Sequence, residues 1–322
     1  MKNYLDNIKN TKVLVTGGLG FIGHNLVKSL INDYDCNVVV VDDCSNSVKT
    51  VLEGYNYQLI EERIQDFNLQ DFLENFDYIF HLACVQIAHS AKDPLLDLET
   101  NAISTLKILE YLKNTPNKVQ RFVYTSSASV YGNISNGICN ENNATKVLSH
   151  YAASKLLGEN YTTIYYKQYD VPTTSIRYSN VFGYGQTPNN PYCGVIGKFI
   201  DTLSNGDGTL GIFGDGQQTR DYTFITDAVE ATILAAVHPN SLGQVFNVGT
   251  GVETSVNKLA NELLSYNNNL SVSHLPPRDI DNIRRRFVDI SFIYDKLGWE
   301  PKVTIENGLR ETYNWYKSYI AK

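Results

Sequence analysis

Tyr151 and Lys155 stand four positions apart in the segment HYAASK, residues 150–155, with only small residues between them. On a helix that spacing sets both side chains on one face, the phenol one turn from the ammonium. A phenol with its ordinary pKa near 10 is a poor base precursor at neutral pH, and a neighbouring cation favours its ionised form. The pair is therefore suited to removing a proton from a hydroxyl group. Alone the motif is weak, because Tyr and Lys one turn apart also occur on ordinary amphipathic helices.

Three further groups of residues give it context. Gly17, Gly20 and Gly23 follow the apolar run KVLVT and open an amphipathic stretch. Glycines at that spacing let a backbone turn tightly and approach a pyrophosphate, which the helix N-terminus stabilises. Asp42 closes the second apolar run, CNVVVVDD. A carboxylate there accepts hydrogen bonds from an adenosine ribose and repels a 2'-phosphate, so NAD is expected over NADP. The run YTSSASVYG, residues 124–132, ends a further strand in hydroxyl residues, and Ser127 could donate to a substrate oxygen. With a nicotinamide cation beside it, Tyr151 could take a hydroxyl proton while hydride leaves the same carbon. Lys155 would then be free to hydrogen-bond the nicotinamide ribose.

Those residues need a scaffold, and the chain has the length and composition to supply one. Its 322 residues are 43% hydrophobic and 19% charged, as expected of a globular soluble protein, and a net charge of -7 argues against a nucleic-acid surface. Short, nearly all-apolar segments (KVLVT, CNVVVVDD, FDYIFHLAC, RFVYTSS, TTSIRYS, QVFNVGT) alternate with helical patterns. That reads as a parallel sheet covered on both faces: an α/β, Rossmann-like doubly wound fold. The spacing predicts one continuous helix from Asp93 to Lys113, capped by Asp93 with Pro94 in its first turn, and another over 151–168. Beyond residue 180 the pattern loosens, as expected of a smaller substrate-binding domain over the sheet's carboxyl edge. Residues 1–179 are expected to form the NAD-binding domain, with 223–249 returning to it, and 180–322 mainly the substrate-binding domain. No membrane-length apolar run or signal-like N-terminus is present, and five scattered cysteines without CxxC argue against disulfides or zinc. A cytoplasmic protein without a metal is expected.

Taken together these segments resemble the extended short-chain dehydrogenase/reductase family, and within it the NAD-dependent nucleotide-sugar epimerases. The likeness runs from about residue 11 to 316, through VTGGLGFIG, HLAC, SSASVYG, YAASK, RYSNVFGYGQ, IFGDGQQTRDYTFITD, FNVGTG and LGWEPKVTIENGLRET. It implies epimerisation at C4 of a UDP-hexose or UDP-N-acetylhexosamine through a 4-keto sugar, with Ser127, Tyr151 and Lys155 catalytic. It implies an NAD site that adds Phe21, Ile22, Asn46, Ile64, Leu82 and Ala83 to the glycines and Asp42. Asn101 and Thr125 would lie near that cofactor, and Tyr178 would flank the nicotinamide. Asn180, Phe213, Arg220 and Arg278 would hold the substrate's nucleoside diphosphate. The chain departs from the family pattern at Glu62-Arg63-Ile64, where Gly-Asp-Ile is usual. The segment PPRDIDNIRRRFVD is also one residue longer, so Arg278 and Arg284 compete for one phosphate role. Arg286 falls near a position that governs room for an N-acetyl group.

Other activities of the same scaffold remain in view. A 4,6-dehydratase or decarboxylase would carry an acid just after the hydroxyl strand end, where this chain has Ala128 and Ser129. A 4-ketoreductase often prefers NADP, which Asp42 disfavours. A non-enzymatic NAD sensor would not need Ser127, Tyr151 and Lys155 together. The surplus apolar residues of the 93–113 and 151–168 helices, such as Leu95, Leu98, Leu157 and Ile164, predict a homodimer. The alternative is that the C-terminal segment covers them within one chain.

Overall fold

The structure is a computed structural model that describes residues 4–47, 49–67, 76–115, 119–186, 194–204, 208–266, 270–277 and 283–320. The amino-terminal half alternates strand and helix: β1 (Lys12–Thr16), α1 (Phe21–Asn32), β2 (Asn37–Asp42), β3 (Gln58–Glu61), β4 (Tyr78–His81), α2 (Ile87–Ser90), α3 (Pro94–Leu98), α4 (Ser104–Asn114) and β5 (Arg121–Ser127). Then come β6 (Ile138–Cys139), α5 (His150–Tyr169), β7 (Thr173–Tyr178), β8 (Asn180–Phe182), α6 (Val195–Ser204), β9 (Gly208–Phe213) and β10 (Thr219–Phe224). The chain closes with α7 (Ile225–Val237), β11 (Val245–Val248), β12 (Glu253–Ser255), α8 (Val256–Leu264), β13 (Leu270–Leu275), β14 (Phe287–Val288), α9 (Ser291–Leu297) and α10 (Ile305–Ile320).

Seven strands form one parallel sheet in the order β11-β7-β5-β4-β1-β2-β3. Its inner strands are buried on both faces, as β7 shows with all six residues buried, which is why they read as unbroken apolar runs. The strand order reverses direction at β1 and β4, the arrangement that opens a ligand crevice beyond the strands' carboxyl ends. Smaller sheets, β12-β10-β8, β13-β9 and β14-β6, are built mostly from the later part of the chain. Among the described residues no helix is long and apolar enough to cross a membrane.

The expected helix from Asp93 to Lys113 is present but contains a π turn. Asp93 does cap α3, accepting from Leu96 N at 3.0 Å, and Pro94 opens it. A π-helical turn at Glu99–Ile103 then separates α3 from α4. Such wide turns insert a residue without ending the helix and redirect its side chains, which a regular 3.6 period cannot anticipate. The short strand β3 has no apolar run to mark it in the sequence, because none of its four residues is buried.

Candidate active site

The glycine turn joins β1 to α1 and depends on missing side chains. Gly17 has φ +68°, and a Cβ there would lie 2.7 Å from the backbone N of Ala83. A Cβ on Gly23 would come within 2.1 Å of the Gly17 carbonyl oxygen. Gly20 precedes α1 without a side-chain cap, so the first backbone N–H groups of that helix have no local side-chain acceptor. Asp42 at the end of β2 accepts from Leu19 N at 2.9 Å through Oδ2, and from Cys44 N (3.0 Å) and Ser47 Oγ (2.9 Å) through Oδ1. The carboxylate thus fastens the glycine turn to the second strand.

On the other side of the sheet's switch point, α5 lies against β5. Ser149 caps α5 by accepting from Ala152 N at 3.1 Å, which starts the helix just ahead of Tyr151. Lys155 is 2% exposed, and its Nζ donates to the Thr125 carbonyl at 2.8 Å. That ammonium sits 6.0 Å from the Tyr151 ring centre and 5.2 Å from the ring of Tyr124. Tyr124 hydrogen-bonds the Lys155 carbonyl at 3.2 Å, and a Cβ on Gly158 would lie 2.4 Å from its hydroxyl. Gly158 therefore sets how closely α5 approaches β5. Ser127, at the tip of β5, accepts from Ser129 N at 3.2 Å and lies 2.9 Å from Ser129 Oγ.

Electrostatics hold both titrating groups in their neutral direction. Burial pushes the Tyr151 phenol well up; Cys84 and Asp97 add to this, while the Ser127 hydroxyl and the Arg286 charge oppose it. Burial also lowers Lys155, against smaller opposing effects of Cys84 and Asp97. A phenolate at this place consequently needs added positive charge nearby.

These elements border one cleft of about 680 Å3 at the sheet's carboxyl edge. From the predicted set, Gly17, Gly20, Phe21, Ile22, Gly23, Asp42, Asn46 and Ile64 line it. Leu82, Ala83, Thr125, Ser127, Tyr151, Lys155, Tyr178 and Asn180 line it too. Arg63 lines it as well. Three predicted residues are not among those lining it. Asn101 is fully buried in the π turn: its Oδ1 accepts from Val85 N at 2.7 Å, and its Nδ2 donates to Asp97 Oδ1 (2.7 Å) and Ser154 Oγ (3.1 Å). Arg220 donates through Nη1 to the carbonyls of Thr219 (2.8 Å) and Ile283 (2.7 Å). Phe213 ends β9, outside the cleft. Arg278 lies outside the described residues. Cys84, Gln86 and Ser129 line the cleft but were not predicted; Ser129 could have been read from the serine run, whereas nothing local marks Gln86.

The arginine run divides. Arg284 forks onto Asp215 at 2.7 and 2.8 Å, and Arg285 onto Glu253 at 2.7 and 2.8 Å, all near the surface. Arg286 is 8% exposed and lines the cleft.

A glycine cradle that any side chain would fill, a helix N-terminus behind it and a carboxylate at the end of β2 fit a dinucleotide. The chain belongs to the NAD dependent epimerase/dehydratase family, whose sequence profile matches residues 13–249. It is thus an enzyme of that family, with NAD as its cofactor. UDP-glucose 4-epimerase of Mycolicibacterium smegmatis is 34% identical over 315 residues, covering 95% of this chain and 99% of its own. The structure of UDP-N-acetylglucosamine 4-epimerase from Methanobrevibacter ruminantium M1, in complex with UDP-N-acetylmuramic acid, superimposes with a TM-score of 0.89. It is 33% identical and covers 97% of this chain and 99% of that one. The dTDP-D-glucose 4,6-dehydratase of Homo sapiens is 30% identical over 322 residues, 95% of this chain and 90% of its own. The family thus spans epimerases and dehydratases that share this scaffold.

Proposed function

We propose that this enzyme inverts C4 of a UDP-linked hexose or N-acetylhexosamine through a transient 4-keto sugar. The observation that carries the choice of reaction is the tip of β5. Ser127 is hydrogen-bonded there by Ser129, and Ala128 and Ser129 stand where elimination of water would call for an acid. NAD, when bound, supplies reversible hydride transfer at the carbinol carbon. Its pyrophosphate would be held by the turn of Gly17, Gly20 and Gly23, its adenosine ribose by Asp42, and its nicotinamide ribose by Lys155. Thr125 and Tyr178 line the same cleft, which suits places near the nicotinamide.

Tyr151, as phenolate, takes the proton from the sugar O4, and Ser127 hydrogen-bonds the same oxygen. The ammonium of Lys155 favours that phenolate against burial. The keto sugar turns within the cleft while its nucleotide end stays bound, so remote binding energy serves a mobile reacting group. Asn180 is assigned to that anchoring. In this reading residues 1–179, with 223–249, hold the cofactor and the remainder of the chain holds the sugar nucleotide.

A homodimer belongs to the same proposal. Leu95 is 73% exposed, and Leu98, Ile103, Leu157 and Ile164 are exposed along α3 to α5. The C-terminal helix α10 packs on α6 and β10, so that face wants a second copy. Light scattering at micromolar concentration should give twice the 36.2 kDa chain mass; the mass of one chain would sink the dimer.

The test of the reaction is incubation of the purified protein with a panel of UDP-sugars, read by NMR of the sugar ring. Each substrate and its C4 epimer should reach the same ratio with little added NAD and no stoichiometric NADH. A 4-keto-6-deoxy product would instead mean a dehydratase, and one-for-one consumption of reduced cofactor a ketoreductase.

A further inference from the structure

We propose that Arg286 receives a carboxylate carried by the sugar, so that the preferred substrates are uronate forms of the sugar nucleotide. The proposal rests on the epimerase reading for the reaction and adds the chemical class of sugar.

Three consecutive arginines precede β14. Arg284 and Arg285 each meet a surface carboxylate in a two-point fork. Arg286 alone of the three lines the cleft, where it shares the wall with Ser127, Ser129, Tyr151 and Asn180. Its charge acts on the Tyr151 phenol, the candidate base that lines the same cleft.

The backbone that delivers it is pinned on both sides. Thr219 N donates to the Arg284 carbonyl at 2.9 Å, and Arg220 Nη1 donates to the Ile283 carbonyl at 2.7 Å. After it, Phe287 N donates to the Gly137 carbonyl at 3.0 Å, and Val288 N to Asp221 Oδ2 at 3.3 Å. Arg286 is therefore held as part of the wall rather than as a loose surface group. A guanidinium stays charged when buried and offers five donors in a rigid fork. A carboxylate matches that fork with two charge-assisted hydrogen bonds, whereas a hydroxymethyl group offers one neutral oxygen.

The experiment compares UDP-glucose with UDP-glucuronate and UDP-N-acetylglucosamine with UDP-N-acetylglucosaminuronate, on the NAD-loaded full chain. Turnover and equilibrium binding are both measured. The unaltered enzyme should favour the acidic member of each pair by about tenfold or more in kcat/KM. Arg286→Ser should erase that preference, chiefly through KM, and Arg286→Lys should retain part of it. Equal use of acidic and neutral sugars by the unaltered enzyme overturns the proposal, as does an Arg286→Ser enzyme that loses both alike. Should Arg286→Ser fail to fold, the unaltered and Arg286→Lys enzymes decide the matter. Preferential binding of the acidic sugars without turnover of any sugar would sink the epimerase reading and leave the assignment of Arg286 standing.

Discussion

Arg177 grips Glu159 at two points inside the protein, with Nη2 2.5 Å from Oε1 and Nε 2.9 Å from Oε2. Glu159 lies one turn beyond Lys155 on α5, and Arg177 precedes Tyr178 on β7. The same guanidinium donates to the Tyr131 hydroxyl at 2.7 Å, and Tyr131 ends the helical turn that begins after Ser127. One buried ion pair therefore ties together the three segments that carry the candidate catalytic groups. Burial works against the Arg177 charge, but the Glu159 carboxylate outweighs it and holds the guanidinium above its ordinary pKa.

Glu159→Gln keeps the shape and removes the charge that balances Arg177. Leaving one partner of a buried pair uncompensated costs about 3–5 kcal/mol. Urea unfolding should show a loss of that order, with turnover falling in the same variant. A loss below about 1 kcal/mol would mean that Tyr131 and water satisfy Arg177 alone.

Tyr151→Phe should leave the fold and bound NAD intact and remove nearly all turnover, because no other group in the cleft is assigned to the sugar O4 proton. Ser127→Ala should be milder, about 10²–10³ in kcat for one lost transition-state hydrogen bond. Near-normal kcat in a correctly folded Phe variant would remove Tyr151 from the base role.

Asp42→Ala should act twice. The proposed ribose contact would go, and so would the acceptors of Leu19 N and Cys44 N that hold the glycine turn. NAD binding should weaken at least about tenfold, and the apoprotein should lose about 1–3 kcal/mol for the two orphaned donors. Adding Asp43→Arg should shift selectivity toward NADP; calorimetric titration with both cofactors checks it. An unaltered protein that binds both equally well contradicts the ribose assignment.

His24 and His81 make stability fall in mild acid. Burial first, then Lys28, lowers His24 to about 4, and burial, then Lys155, lowers His81 to about 3. Thr105 spends its proton on the Asn101 carbonyl at 3.0 Å, so His81 Nε2 must donate to Thr105 and Nδ1 must accept from Thr16. A second ring proton would break that bond. The unfolded chain binds protons below about 6.5 and the native one does not. Stability is thus complete above that pH and is lost as pH falls toward 4 for His24 and toward 3 for His81, by roughly 2.5 kcal/mol for each histidine at pH 4.5. Denaturation midpoints across this range, with and without His24→Gln and His81→Gln, should show the slope flatten in the double variant. An unaltered slope would assign the loss to carboxylates.

What could be read in the chain was what is local. The glycine turn and the Tyr151–Lys155 pair declare themselves because one turn and one helix fix their spacing. Asn101 could be singled out, but its use inside the protein depends on a π turn that a regular period does not reveal. Arg284, Arg285 and Arg286 are the same residue three times, and only anchors at Thr219 and Gly137, far away in sequence, decide which one enters the cleft. Gly158 looks like an ordinary helix glycine until Tyr124 is seen against it.

The seventh strand of the central sheet has a consequence for synthesis. β11, at residues 245–248, pairs with β7, at residues 173–178. While the ribosome makes the intervening segment, β7 is an open edge whose residues are all destined for burial. A nascent chain stopped at Val237 carries the glycine turn, Tyr151 and Lys155 and still offers that edge to any neighbouring strand. The central sheet is therefore completed late, by long-range pairing that slows folding and prolongs exposure to aggregation. Fragments ending before β11 should collect in inclusion bodies, and fragments that include it should stay in solution.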